Sequence, residues 1–348
     1  SATGQRHRHA FGPSVERDEH ATLFAEAALS GQDGRHAWVL GAAIQHDRYD
    51  ARDVAGFDFA HTVPALFLQD EVTLASWLTL AASARLDLHS EYGAFPAPRV
   101  SALVRPGAWV FRASGGGGYF TPSPFTEETE AVGLGRLEPY GELDVERAWG
   151  GMLDVGRELG PWELNATLFG SRIHDALAVR EVVGGQLELF NQGGTVRTWG
   201  TELLARYQLE PIHLTATHVY TRSTEPNPSG SGRREVPLTP RHTFGVVGAW
   251  EDEGRGRIGA ELYFTGRQEL EDNPYRSRST PYFALGFLVE RRIGPVRLFL
   301  NAENILDARQ TGYDRLVLPA QSPDGRWITD VWAPLEGRAV NGGVRITF

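Results

Sequence analysis

The apolar residues of this chain recur with a period of two, over runs longer than the strands of most water-soluble sheets. In LTLAASARLDLH, Leu78, Leu80, Ala82, Ala84, Leu86 and Leu88 fall on one side, and Thr79, Ala81, Ser83, Arg85, Asp87 and His89 on the other. RIGAELYFTG sets Ile258, Ala260, Leu262 and Phe264 opposite Gly259, Glu261, Tyr263 and Thr265. VRLFLNAEN sets Val296, Leu298, Leu300 and Ala302 opposite Arg297, Phe299, Asn301 and Glu303. Such alternation marks β-strands whose two faces meet different surroundings. Single strand runs are expected over residues 162–182, 193–209, 240–253, 255–270, 281–294 and 296–313. Soluble strands average about 5–6 residues, whereas a tilted strand crossing a bilayer needs about 9–11. No segment carries a sustained helical stripe.

The links between the runs sort by length. About fifteen strands can be placed, and the short links fall near 30–36, 75–77, 105–108, 159–161, 209–211, 251–256 and 293–295. They alternate with long links near 51–62, 91–97, 121–139, 182–192, 222–239, 271–280 and 314–336. The stretch QRHRHAFGP, before Phe24, reads as one more strand and makes the count even. A soluble sandwich has no reason to sort its loops by end, but outer-membrane barrels do, with short periplasmic turns and long extracellular loops. The expectation is therefore all-β: an antiparallel transmembrane β-barrel of long meander strands, with residues 1–348 forming one unit. Leu262, Leu298, Val344 and Ile346 should then face lipid, while Arg85, Asp87, Glu261, Arg297 and Glu303 face a wet lumen. Aromatic rings near strand ends, at Trp77, Trp109, Trp162, Tyr220, Trp250 and Phe348, suit the headgroup level.

Composition is consistent with this reading. The chain has 348 residues, with Lys+Arg 34 against Asp+Glu 44 and a net charge of −10. That balance argues against a nucleic-acid partner. There is no cysteine, hence no disulfide or thiolate metal site. The mean hydropathy of −0.30 fits a barrel, whose inner face and loops are polar. No run of about 18 apolar residues suggests a transmembrane helix, and no signal peptide is visible. The only Met is Met152 and the chain starts at Ser1, which reads as a processed or truncated beginning, whereas the alternating NGGVRITF reads as a genuine end.

Several motifs invite a chemical reading and have a plainer one. GGGGYF at 115–120 could be a phosphate loop, but no helix pattern comes after it, so structural glycine on a strand is expected. Asn301, Asn304 and Asp307 could hold a cation, yet they offer few carboxylates. His7 and His9 share a strand face, and His213 and His218 lie on another strand. A metal site needs three or four ligands in one place, so these read as lumen or surface histidines. His89 and Ser90 are adjacent on a strand, point to opposite faces, and cannot pair as base and nucleophile. TEETEAVG at 126–133 is a carboxylate cluster in a long loop. The loop 313–336 combines Tyr313, Arg315, Trp327 and Trp332, a composition favoured in binding patches. These four are the candidate ligand-binding residues; packing of the loop on itself is the alternative. No residue calls for a catalytic role, a cofactor or a resident metal.

The order of motifs resembles the C-terminal part of the TonB-dependent outer-membrane receptors. FLQDEVTLASWLTLAASARLDLHSEYG (67–93) resembles a hairpin in the middle of that family's barrel. APRVS (97–101) and RASGGGGYFTPSPFTEE (112–128) resemble the next hairpin and its loop. NQGGTVRTWGTELLARY (191–207), PLTPRHTFG (237–245), NAENILD (301–307) and GRAVNGGVRITF (337–348) resemble the later strands. The resemblance implies a 22-stranded barrel around a plug, of which about 15–16 strands are present here and the plug is absent. It implies energised uptake of a scarce nutrient, such as a ferric siderophore or cobalamin. Its partners would be outer-membrane lipid, TonB acting through the plug, and a small nutrient or metal-chelate ligand, in the outer membrane of a Gram-negative bacterium. A terminal Phe348 would be the signal read by the barrel-assembly machinery. Two other classes fit less of the sequence: a passive porin or channel barrel, and a soluble β-protein fragment.

Overall fold

The computed structural model describes residues 1–348 except 12, 13, 183, 229, 272, 322–326 and 348. The first strands are β1 (Ala2–Phe11), β2 (Ser14–Asp33), β3 (His36–Ala51), β4 (Phe59–Ala75), β5 (Leu78–His89), β6 (Gly93–Val104) and β7 (Trp109–Phe120). A long connection holding helix α1 (Glu127–Val132) and a 3-10 turn at Leu134–Arg136 leads to β8 (Glu146–Leu159) and β9 (Trp162–His174). Then come β10 (Leu177–Val182), β11 (Gln186–Asn191), β12 (Thr195–Leu209), β13 (Ile212–Pro226) and β14 (Arg233–Glu235). The last are β15 (His242–Asp252), β16 (Gly256–Thr265), β17 (Tyr282–Ile293), β18 (Val296–Glu303) and β19 (Ala339–Ile346).

Of these nineteen strands among the described residues, β10 and β11 form a separate two-stranded ladder, and β14 has three residues. The remaining sixteen form one antiparallel meander, each paired with the next along the chain. Its outer strands, β1 and β19, are not paired with each other among the described residues, so the sheet is not closed.

The register carries the two faces through the whole sheet. Across the ladders Leu29, Leu40, Leu68, Ala84 and Pro98 stand in one row. Val246, Leu262 and Leu285 form another, and Val289, Leu300 and Gly342 a third. This apolar face is bare: Leu29 is 64% exposed, Val344 62% and Leu300 53%. Leu262 and Leu298 lie on it, as alternation predicts. The opposite face holds Arg85, Asp87, Glu261, Arg297 and Glu303, where charges pair: Arg85 Nε lies 2.7 Å from Asp87, and Arg112 Nη1 2.7 Å from Asp154. Gly200, within the TWGTE motif, faces this side. A Cβ there would lie 2.1 Å from the Tyr220 carbonyl oxygen, so only glycine fits.

The short links lie where expected, and Trp77, Trp109, Trp162 and Trp250 all sit at that end of the sheet. Phe348 lies outside the described residues. Several expected strands are cut short. The run 162–182 breaks at Asp175, whose φ of 55° turns the chain off the ladder into the β10–β11 hairpin. The run 296–313 ends at Glu303 because Asn304 and Asp307 adopt φ of 48° and 58°. The run 255–270 ends at Thr265. Conversely, residues 93–97 belong to β6 rather than to a loop. TEETEAVG is partly helical: Thr126 caps α1 by accepting from the Thr129 N–H (3.2 Å), and Thr129 Oγ1 accepts from the Thr126 N–H (2.9 Å).

Candidate functional site

The long connections gather at one end of the sheet and pack into two clusters. The first joins the β3–β4, β7–β8 and β9–β12 connections. Tyr49, Ala51, Phe57, Leu134, Leu137, Leu187 and Leu189 form its buried apolar core. Polar clips fix it. The Glu16 carboxylate of β2 accepts from the Leu134 and Gly135 N–H groups at 2.9 and 2.8 Å. Glu138 N donates to Leu187 O (2.7 Å), and Leu177 N to Glu146 Oε1 (2.6 Å). Asn191 bridges the two connections, accepting from Asp144 N and donating to Asp144 O and Asp175 O. Buried backbone groups with partners hold a loop in one conformation. Tyr140 sits against this core, and burial pushes its phenol well above the ordinary tyrosine range.

The second cluster joins the β16–β17 and β18–β19 connections. Gln310 is fully buried and works as a staple. Its Nε2 donates to Asp330 O (2.7 Å) and Thr329 Oγ1 (3.2 Å), and its Oε1 accepts from Trp332 N (2.9 Å). Gln268 Nε2 donates to Trp332 O (3.0 Å). Asn304 closes the start of this connection, bonding Ala308 N and O and Glu336 O. It therefore serves the loop and does not join Asn301 in a cation site; Asn301 Nδ2 donates to Glu303 instead.

The four residues singled out from the sequence divide. Trp332 is buried in the second cluster, its ring 5.4 Å from that of Tyr313, with the Arg276 guanidinium 5.5 Å above it. Trp332 is thus part of the packing that holds the loop. Tyr313 is exposed beside it. Arg315 and Trp327 are also exposed; the Trp327 carbonyl accepts from Leu318 N, tying the loop across itself. The structure adds Arg276 to the group. Nothing in the sequence marks it, because it arrives from a different connection.

A second set was not legible. Below the first cluster, the polar face carries His20, Tyr49, Phe59, His61 and His89, with Phe125 folded against them. Tyr49 and Phe125 have centroids 4.8 Å apart, Phe59 and His61 4.8 Å, and His61 and His89 4.7 Å. The residues come from four strands and one loop, and the strand residues share a face only through register. Ser90 and His89 make separate contacts. Ser90 Oγ accepts from Thr62 N, and His89 Nδ1 faces the N–H groups of Glu91 and Tyr92 in the turn. A hollow of about 960 Å³ lies on the apolar face, walled by Leu80, Val100, Leu153, Leu168 and Trp199. Its mainly apolar walls, with Asp70 at one margin, suit hydrocarbon better than a polar chelate.

The arrangement is a wall and a rim: a two-faced sheet, and fixed loops at one end presenting Tyr, Trp and Arg. Residues 8–305 match the family model described as TonB dependent receptor-like, beta-barrel. Comparison with curated protein sequences finds no match. Among solved structures, the siderophore receptor PirA of Acinetobacter baumannii superposes with a TM-score of 0.72 at 13% identity, over 96% of this chain and 55% of that one. The ferric enterobactin receptor of Pseudomonas aeruginosa gives 0.71 at 15%, over 96% and 54%. The FrpB iron transporter of Neisseria meningitidis gives 0.70 at 13%, over 95% and 56%. At these identities the likeness is one of fold. The chain spans about half the length of the structures it matches.

Proposed function

The chain belongs to the TonB-dependent receptor β-barrel family, and from that premise we propose that it is barrel wall and loop rim of an outer-membrane nutrient receptor. The family is one of receptors and transporters in the outer membranes of Gram-negative bacteria. In this reading the apolar face meets lipid and the polar face lines the lumen. The fixed loops capture a scarce nutrient, with a ferric siderophore or cobalamin the leading classes. Release inward is driven by TonB through a plug domain that belongs to the whole protein. Siderophore and iron receptors among the structural neighbours support an iron chelate first.

The observation that carries the reading is the mainly apolar face, kept in register along the meander and left bare, which only a few polar residues interrupt, among them Arg6, Arg8, His218, His242 and the His36–Asp70 pair. In water, so much exposed aliphatic surface drives association; in a bilayer it is the matched surface, and the ladder satisfies the backbone amides that lipid cannot. The rim carries the binding half. Tyr313, Arg276, Arg315 and Trp327 offer aromatic and guanidinium contacts suited to an anionic, ring-bearing chelate. No group on this chain needs to react; its work is to bind, hold and shield.

The test is uptake. Cells carrying the gene, and cells deleted for it, are given radiolabelled ferric enterobactin or cobalamin under starvation for each nutrient. Loss of energy-dependent accumulation of one of them in the deleted strain supports the receptor. A purified full-length protein that conducts ions freely in planar bilayers, with no uptake defect on deletion, would favour the passive porin.

A further inference from the structure

We propose that His7, His9 and Asp18 form a binding site for a divalent transition-metal ion of the zinc class, on the polar face near the loop end of the sheet.

The strand ladder brings the three together. His7 and His9 are two residues apart on β1 and share a face, and Asp18 of β2 is the direct ladder partner of His7. Asp18 is held from its other side by pairing with Ala51 of β3. Three backbone positions are therefore fixed before any ion arrives, which lowers the entropy lost on binding. His7 Nδ1 lies 2.7 Å from Asp18 Oδ1, and His9 Nε2 3.3 Å from Asp18 Oδ2. The donor atoms of all three lie within 4.8 Å of one another. A tetrahedral ion with ligands at about 2.0–2.2 Å spaces them about 3.3–3.6 Å apart. Closing the set falls to the side chains, because the ladder already holds the three backbone positions.

Charge separates this cluster from an ordinary ion pair. The Asp18 side chain is 8% exposed, and its ionic partners are the two imidazoles alone among the described residues. Other carboxylates buried to a similar degree each have an arginine: Asp87 has Arg85, Asp154 has Arg112, Glu225 has Arg234, and Asp314 has Arg276. A buried carboxylate needs a compensating charge, which an imidazole supplies only when it carries a second proton. Arg6 and Arg8 alternate with the histidines and face the other way, Arg6 being paired with Glu19 at 2.8 Å. The next acid on the face, Glu16, is already taken by Leu134 and Gly135. A divalent ion would meet the need, with two neutral nitrogens and one anionic oxygen around it.

Ligand type narrows the ion. Imidazole with carboxylate suits zinc, nickel, cobalt or iron(II), whereas calcium takes six to eight oxygens. Three protein ligands leave a fourth position for water or a donor atom of an arriving molecule. The half-exposed His9 side chain marks the open side. The proposal does not depend on which nutrient the rim captures, because it is read by equilibrium binding and not by transport.

The full-length protein, purified from outer membranes in detergent and stripped with chelator, would be titrated with Zn²⁺ against a chromophoric competitor. One ion per chain is expected. His7→Ala, His9→Ala and Asp18→Asn should each weaken it by at least the roughly 10–100-fold that losing an outer-shell partner costs. The control is His218→Ala with His242→Ala. Those rings sit on the opposite face with nitrogens 3.2 Å apart, and their loss should leave the titration unchanged. Absence of a stoichiometric ion in the unsubstituted protein, or variants that bind like it, would overturn the site. Should a variant fail to assemble, zinc-edge X-ray absorption of the unsubstituted protein decides alone: two imidazole nitrogens support the proposal and none refutes it.

Discussion

Glu261 and Leu262 are neighbours in sequence and belong to different surroundings. Register puts Leu262 between Val246 and Leu285, and Glu261 on the charged face. At this scale the sequence is most readable, because a strand sends successive side chains to opposite faces and a burial pattern of period two needs no tertiary information. It predicts that Leu262→Asp or Leu298→Asp disrupts membrane assembly, most strongly near the midplane. An Arg at such a position would cost about 2–4 kcal/mol and an Asp somewhat less. Urea unfolding of the full-length protein in lipid vesicles would measure it, and Ser101→Asp on the polar face should cost far less. Roles within loops are not readable in the same way. Trp327 and Trp332 look alike in the sequence, yet one is 56% exposed and the other 3%. The difference lies in Gln268, Gln310 and Arg276, which only the fold brings to Trp332. Asp18 likewise gives no sign in the sequence that it meets His7.

Element positions are legible in the middle and less so at the ends. Apolar alternation runs on past Asp175 and Asn304, but a left-handed residue ends a ladder whatever the pattern beyond it. In sequence the β10–β11 hairpin reads as strand continued into loop, because its own alternation serves a different core. That core makes the loop end cooperative. Leu187, nearly wholly buried, belongs to a core that residues from three connections share. Leu187→Ala should cost about 2–5 kcal/mol locally. Limited proteolysis should then cut the β7–β8 and β9–β12 connections together while the strands stay protected; cutting in one connection alone would contradict a shared core. The β13–β15 connection has its own latch, Glu235 with Arg241, whose Nε lies 3.0 Å from Glu235 Oε2. The Arg241 hydrogen bond holds the Glu235 carboxyl below the ordinary glutamate range. Its contribution is complete above the unfolded value of about 4.3. It is lost as pH falls through the lower folded value. Protease access at residues 227–241 should therefore be flat from pH 8 to 5 and rise only in stronger acid. A rise near pH 6.5 would point to a histidine instead.

For the whole molecule, three independent patterns agree: long alternating strands, links sorted by length, and one face left bare across the meander. Strand count and order are readable because each strand pairs with its chain neighbour, so topology needs no long-range guess. Which nutrient is bound is not, since loop composition fits many chelates and the rim is assembled from separate connections. The central claim is that the bare face lies in lipid and the charged face in water. This chain carries no cysteine, so site-directed labelling needs only that any cysteine elsewhere in the full-length protein be replaced first. Single cysteines placed along β16 from Ile258 to Phe264 in the full-length protein would carry nitroxide labels in lipid vesicles. Labels at positions 258, 260, 262 and 264 should be relaxed by oxygen, which concentrates in hydrocarbon. Those at 259, 261 and 263 should be relaxed by a water-soluble nickel chelate. A period-two exchange between the two relaxants is the predicted result; uniform access to the nickel chelate, or alternation with the opposite phase, would contradict it.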